Sequence, residues 1–164
     1  MRTRRVMMAS ALAGAMLTAG IGLEAQSPPA PKLFASSADV KALIAKAKAE
    51  RKPDQANFVQ PIVSLAPFNA NLEYRVGSVP APASTHDKDA EMFYVIEGAG
   101  TVVTGGTLQN ERRTNAANAS GSGIDGGTPR RITAGDWVMV PEKTPHWFTQ
   151  IDGTLVLMSV HLPR

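Results

Sequence analysis

Hydrophobic and polar residues alternate along much of the chain after position 57, and such alternation predicts half-buried β-strands. Glycine, proline and asparagine interrupt these stretches at short intervals, as turns do between the strands of a sandwich or barrel. The pattern therefore predicts an all-β domain. Its strands are expected at positions 58–65, 71–76, 92–97, 101–104, 130–133, 137–140, 146–150 and 154–161.

A helical period precedes these strands. Apolar residues recur at three- and four-residue spacing from Val40 to Ala47, which places them on one face of a helix. Ser37 or Asp39 is expected to cap its beginning, and Pro53 lies beyond its end. We expect a short amphipathic helix on the outside of a sheet; the alternative roles are a lid and a dimer contact.

The first 25 residues have the pattern of an export signal. Three arginines among the first five residues precede an apolar run at positions 6–23, and Ala25 is suited to a cleavage point. The paired arginines also fit a twin-arginine signal. We expect an exported protein, periplasmic or secreted, with no membrane contact after cleavage. The apolar run approaches membrane-spanning length, so an uncleaved anchor is the alternative.

Length and composition limit the number of domains and exclude several kinds of site and partner. The length of 164 residues suits one domain, with a signal at 1–25, a linker and helix at 26–56 and a β-barrel domain at 57–164. The chain has no cysteine, which excludes disulfides, cysteine zinc sites, iron–sulfur clusters and thiol catalysis. The net charge of +3 comes largely from the arginines of the signal, and no basic stripe with interleaved aromatics is present. Nucleic-acid binding is therefore not expected.

The first stretch that carries chemistry begins at His86. Four residues separate His86 from Glu91, and six separate Glu91 from Gly98. On a strand, Glu91, Phe93 and Val95 share one face. If Glu91 points into a barrel, the other two side chains line it.

The second stretch runs from Gly135 to Gln150 and contains Pro141 and His146. On the strand that begins at His146, the side chains of His146 and Gln150 are expected to point inward. Trp147 alternates with them and is expected to pack outside the barrel.

Together the two stretches resemble the two motifs of the cupin superfamily, over positions 70–161. Three positions depart from the motifs: Ser84 stands in place of a first His, Lys143 in place of a Gly, and Gln150 in place of an Asn. The resemblance implies an all-β fold with one N-terminal α-helix, namely a single double-stranded β-helix barrel of the jelly-roll kind. It also implies a homodimer.

The resemblance further implies a metal site formed by His86, Glu91 and His146. Two imidazoles and one carboxylate on a rigid barrel leave coordination positions open. Such a set suits a divalent ion such as Fe, Mn, Ni or Zn, and the ligands alone do not choose among them. Asp87 and Asp89 are nearby carboxylates that we expect to face solvent.

A small-molecule pocket is expected around the site, because a few polar groups among aromatic walls are typical of such pockets. Its candidate residues are Ser84, Phe93, Phe148, Gln150 and Arg75. Arg75 could hold a substrate carboxylate with its two-pronged guanidinium if it faces inward. The alternative for Arg75 is a surface salt bridge.

Several other positions are expected to be structural. Gly98, Gly135 and Pro141 are expected in turns that reverse strands. His161 ends the last predicted strand and is expected at the surface rather than at the metal. Residues 105–128 contain almost no large apolar side chain and are expected to form a long loop, either a lid or a surface excursion.

Two functions of different classes follow. The first is a metal-dependent enzyme that acts on a small organic molecule, as an oxygenase or as a lyase or isomerase. The second is a non-catalytic protein that binds a small ligand without metal, in which His86 and His146 would form hydrogen bonds to the ligand. A structural or storage role is a weaker third candidate.

Overall fold

The structure, a computed structural model, describes residues 30–163. The expected export signal and its cleavage point lie outside the described residues. Twelve β-strands and one α-helix make up the described chain, which confirms the expected all-β class. Among these residues, no helix is both long enough and apolar enough to cross a bilayer.

The helix α1 covers Ser37–Glu50, close to its predicted bounds. It begins there because the Ser36 hydroxyl accepts from the Asp39 N–H while the Asp39 carboxylate accepts from the Ser36 N–H. Ile44 and Ala47 are buried against the outer face of a sheet, where hydrophobic side chains of several strands meet them. The helix therefore packs on the outside of the barrel, as expected.

The strands form two sheets that face each other across a hydrophobic core. Their bounds are β1 Asn57–Leu65, β2 Phe68–Val76, β3 Ala83–His86, β4 Asp89–Thr104, β5 Thr107–Gln109, β6 Arg112–Arg113, β7 Asn118–Gly121, β8 Gly123–Asp125, β9 Thr128–Thr133, β10 Trp137–Val140, β11 His146–Phe148 and β12 Thr154–Pro163. The first sheet contains β1, β2, β12, the first half of β4, and β10. The second sheet contains β9, the second half of β4, β11, β3, β7 and β6, while β5 and β8 form a separate pair.

Strand β4 belongs to both sheets. A turn was expected at Gly98 between two strands, and this expectation is wrong, because the chain bends there without reversing. Gly98 has φ +84°, and a Cβ at this position would lie 2.1 Å from the Thr154 carbonyl oxygen. Glycine is therefore required where β4 passes from one sheet to the other. Gly135 and Pro141 do lie between strands, on either side of β10.

The core between the sheets consists of side chains that alternate along the strands, as the sequence pattern requires. Phe93 and Val95 come from the first sheet, and Val102 and Phe148 come from the second. All four are almost completely buried. This core fills the barrel beneath the predicted site.

The stretch 105–128 is folded, which corrects the expectation of a long loop. Strand β7 extends the second sheet by pairing with β3, while the β5–β8 pair packs Leu108 over the outer face of that sheet. Trp147 lies outside the barrel, as expected, and its indole N–H donates to the Ala81 carbonyl at 2.8 Å. The small polar residues of this stretch show no alternation of hydrophobic and polar positions. Its strands were therefore not predicted, because they form by pairing with strands such as β3.

Lys143 occupies a backbone conformation that side chains disfavour. Its φ is +60°, in the left-handed region, at the motif position that usually holds glycine. Its N–H donates to the His86 carbonyl oxygen at 2.6 Å, which ties the turn after β10 to β3. The strained backbone at Lys143 is therefore stabilised by a hydrogen bond to the strand that carries His86.

We predict that Lys143→Gly stabilises the protein by about 0.5–1 kcal/mol, because glycine adopts positive φ without steric cost. Urea denaturation would measure the change in the free energy of unfolding. Lys143→Ala is the matched control, since it removes the charge but keeps the Cβ. An equal gain from Lys143→Ala would contradict the conformational explanation.

Candidate metal centre

Four side chains converge at one end of the barrel, two from each sheet. Glu91 on β4 and His161 on β12 come from the first sheet and stand directly opposite each other in the strand register. His86 on β3 and His146 on β11 come from the second sheet. The two sheets therefore bring a carboxylate and three imidazoles together.

The three imidazoles surround the carboxylate of Glu91. The Nε2 atoms of His86 and His146 lie 3.2 Å and 3.3 Å from Oε2, and that of His161 lies 3.4 Å from Oε1. Within this group, His86, Glu91 and His161 offer ligand atoms that all lie within 4.8 Å of one another. Such a cluster has the dimensions and the chemistry of a metal site.

The environment of Glu91 favours its ionised form. The residue is only 4% exposed, and burial alone would raise its pKa. The contacts with His146 and His86 outweigh burial and hold the pKa of Glu91 well below its usual range. Burial lowers the pKa of His86, but its contacts with Glu91 and Asn118 are stronger together, so the net shift of that pKa is upward.

One oxygen of this carboxylate lacks a well-formed hydrogen bond. Oε2 of Glu91 is fully buried, and the nearby imidazole nitrogens lie within ion-pair distance of it but outside hydrogen-bond geometry. A buried anionic oxygen without a donor is unfavourable. A cation bound between the carboxylate and the imidazoles would satisfy it, so the residues present fit a divalent metal.

The outer nitrogens of the imidazoles differ in their partners. Nδ1 of His86 lies 2.8 Å from Oδ1 of Asn118, and Nδ1 of His161 lies 3.6 Å from a carboxylate oxygen of Asp89. Nδ1 of His146 is buried without a partner. The contact with Asn118 was not anticipated, because it joins residues 32 positions apart in a stretch expected to be a loop.

The position of His161 corrects the sequence-based expectation of a surface residue. Its side chain is 31% exposed, but it points toward the interior of the barrel beside Glu91. A signal was present in the sequence, because His161 shares its strand parity with Leu155, Leu157 and Ser159, which are buried. Ser159 is 1% exposed, and its hydroxyl has no partner.

Three pocket candidates lie beside the imidazoles. Ser84 shares a strand face with His86 and pairs across the sheet with His146. The ring centroid of Phe93 lies 5.7 Å from that of His146 and 5.0 Å from that of Phe148. The two phenyl rings therefore form an apolar floor beneath the imidazoles.

Gln150 does not lie in the barrel, which corrects its expected inward orientation. Strand β11 ends at Phe148, so the alternation that would have turned Gln150 inward stops before it. Gln150 is exposed, and its amide oxygen accepts from the Thr101 hydroxyl at 3.2 Å.

Arg75 faces the barrel interior, but its guanidinium is already engaged. Its Nε donates to the Glu73 carboxylate at 2.8 Å, and its Cζ lies 4.4 Å from the centroid of the Phe148 ring. Arg75 pairs with Leu155 on β12, six residues before His161, so it lies toward the other end of the barrel. The structure supports neither a surface salt bridge nor a free clamp for a substrate carboxylate at this position.

Comparison with known proteins identifies the fold. No protein-family model and no curated protein matches the chain. Among solved structures, the DMSP lyase DddQ from Ruegeria pomeroyi DSS-3 matches with a TM-score of 0.53 and 16% identity, over 83% of this chain and 68% of that one. TT1209 from Thermus thermophilus matches with a TM-score of 0.52 and 16% identity, over 73% of this chain and 94% of that one.

FeII HppE matches with a TM-score of 0.50 and 15% identity, over 66% of this chain. The chain spans about half of the length of HppE, since the match covers 52% of it. These neighbours have the cupin fold, and the described chain has it as well. The resemblance noted in the two sequence motifs is thereby confirmed at the level of the fold.

We predict that Arg75→Met lowers the free energy of unfolding by about 3 kcal/mol, because it leaves the buried Glu73 carboxylate without its cationic partner and with the Asn57 amide as its remaining donor. The two side chains are only 13% and 8% exposed. The double variant Arg75→Met/Glu73→Leu should recover most of the loss. Chemical denaturation of the four proteins in this cycle is the measurement.

Arg131→Ala is the matched control, since it breaks the exposed ion pair with Asp152 and should change stability by less than about 1 kcal/mol. A loss for Arg75→Met no larger than for Arg131→Ala would contradict a structural role for the buried pair.

Proposed function

We propose that this cupin-fold chain is a metal-dependent enzyme that acts on a small organic molecule. The observation that carries the proposal is the convergence of three imidazole Nε2 atoms within 3.4 Å of one buried carboxylate. Imidazole and carboxylate are the ligands that Fe(II), Mn(II), Ni(II) and Zn(II) accept in proteins. The identity of the ion does not follow from these ligands.

The geometry favours Glu91, His86 and His161 as ligands, because their donor atoms are close to one another. His146 was the third ligand expected from the motif, and its Nε2 faces the same carboxylate oxygen as His86. We propose that His161 supplies the imidazole that Ser84 lacks. A set of three histidines and one glutamate then surrounds the ion.

A bound divalent ion would act as a Lewis acid toward an oxygen of the substrate. The residues of this chain supply the surroundings. Glu91 provides the negative charge, while Phe93 and Phe148 exclude water on the core side of the imidazoles. Ser84, half-buried beside His86 and His146, is placed to donate a hydrogen bond to a bound molecule.

The reaction class is proposed as an oxygenase or as a lyase or isomerase. The fold alone does not choose between these reactions. The neighbours illustrate the range, since one is named a lyase and another was solved with Fe(II). The rival function is capture of a small ligand without metal, with the imidazoles as hydrogen-bonding groups.

We predict about one equivalent of a divalent transition metal in the protein purified without a histidine tag, as this ligand set requires. Glu91→Gln should lose the metal, because it keeps the shape of the side chain but removes the charge. His86→Ala and His161→Ala should each weaken binding at least about tenfold, by loss of one donor. Elemental analysis and metal titration are the measurements.

Asp87→Asn is the matched control for loss of a carboxylate, since Asp87 pairs with Arg113 instead of facing the imidazoles. It should retain the metal. Absence of metal from the unaltered protein, even after reconstitution, would favour the metal-free binding function. Loss of metal in His146→Ala but not in His161→Ala would restore the ligand set expected from the motif.

We also propose that the protein is exported and forms a homodimer. Export is supported by the three arginines and the apolar run that precede residue 25, and the dimer by the cupin resemblance alone. The mass of the protein in the periplasmic fraction should correspond to a chain that begins at Gln26. A full-length mass in the membrane fraction would instead indicate an uncleaved anchor. Light scattering would report the oligomeric state.

A further inference from the structure

We propose that Asn118 is a positioning residue that fixes the tautomer of His86, so that the Nε2 lone pair is directed at the metal site. This inference rests on the proposed metal-dependent function, and it gives the 105–128 stretch a part in that function. Neither sequence motif includes Asn118. It reaches the site only because β7 pairs with β3.

The contact bears on which nitrogen of the His86 ring carries the proton. Oδ1 of Asn118 lies 2.8 Å from Nδ1 of His86. An amide oxygen only accepts hydrogen bonds, so this contact favours the tautomer that carries its hydrogen on Nδ1. In the neutral form of that tautomer, Nε2 carries no hydrogen and is available as a donor to a metal, with Oε2 of Glu91 3.2 Å away as a second donor.

The backbone around Asn118 is held in place. Its carbonyl oxygen accepts from the Thr114 N–H at 3.0 Å, and the Asp87 N–H donates to the Ala117 carbonyl at 2.8 Å. The 105–128 stretch is thus joined to the residue that follows His86, and the amide of Asn118 has a defined position.

The buried imidazole of His146 provides a contrast within the same site. Nδ1 of His146 has no partner, so no hydrogen bond at its outer nitrogen selects a tautomer. His86 alone has a hydrogen bond of ordinary length at its outer nitrogen among the three imidazoles, since the contact of His161 with Asp89 is 3.6 Å. Outer-sphere hydrogen bonds of this kind typically change metal affinity by about 10–100-fold.

The test compares Asn118→Ala with Asn118→Asp in the otherwise unaltered protein. The aspartate keeps an oxygen acceptor, whereas the alanine removes it. Nitrogen-15 NMR of the imidazole rings, recorded without metal at alkaline pH, reports which nitrogen of His86 is protonated. Titration with zinc alone reports the affinity of the site.

We expect His86 to be protonated at Nδ1 in the unaltered protein and in Asn118→Asp. In Asn118→Ala the tautomers should mix, and the zinc dissociation constant should rise about 10-fold or more. Asn118→Asp should bind zinc at least as tightly as the unaltered protein, because a carboxylate partner makes the imidazole a stronger donor.

Arg113→Ala is the matched control, since it removes the other side-chain tie of the 105–128 stretch but leaves the amide of Asn118. It should leave the His86 tautomer and the zinc affinity unchanged. Protonation of His86 at Nε2 in the unaltered protein would overturn the inference, as would an Asn118→Ala protein with unchanged tautomer and affinity. Failure of the unaltered protein to bind zinc would count against the proposed function, while the NMR result would still decide the role of Asn118.

Discussion

The arrangement of side chains at this end of the barrel depends on the burial of one carboxylate, that of Glu91. Glu91 is 4% exposed, and an ionised carboxylate in such a place needs partners that offset the loss of water. Three imidazoles provide them, two from the opposite sheet and one from the neighbouring strand. One carboxylate oxygen still lacks a hydrogen bond, and this is the position at which the proposed chemistry places a cation.

Two layers outside the barrel leave its interior free for this cluster. The helix α1 covers the outer face of the first sheet, and the 105–128 stretch covers that of the second. The 105–128 stretch also contacts His86 through Asn118 on β7, and the turn at Lys143 holds the backbone of the same histidine. His86 is therefore the imidazole most closely tied to distant parts of the chain.

Local signals predicted much of the fold. The helix followed from helical spacing, although its N-cap is Ser36 instead of the expected Ser37 or Asp39. The strands through Phe93 and Phe148 followed from alternation. His86, Glu91 and His146 were identified from motif spacing, and the structure brings them together. The expectations for Gly98, for Gln150 and for residues 105–128 were wrong, because each depended on where a strand would end or pair.

The sequence by itself determined the class of fold, the helix, the buried alternation and two motifs with their histidines and glutamate. These depend on residues near each other in the chain, whose spacing alone fixes which face they share. Only the tertiary structure decided that His161 faces Glu91, that Asn118 bonds to His86 and that Arg75 is paired with Glu73 inside the barrel. The first two contacts depend on which strands lie side by side and in what register. The third needed the barrel to turn both side chains inward, away from competing water.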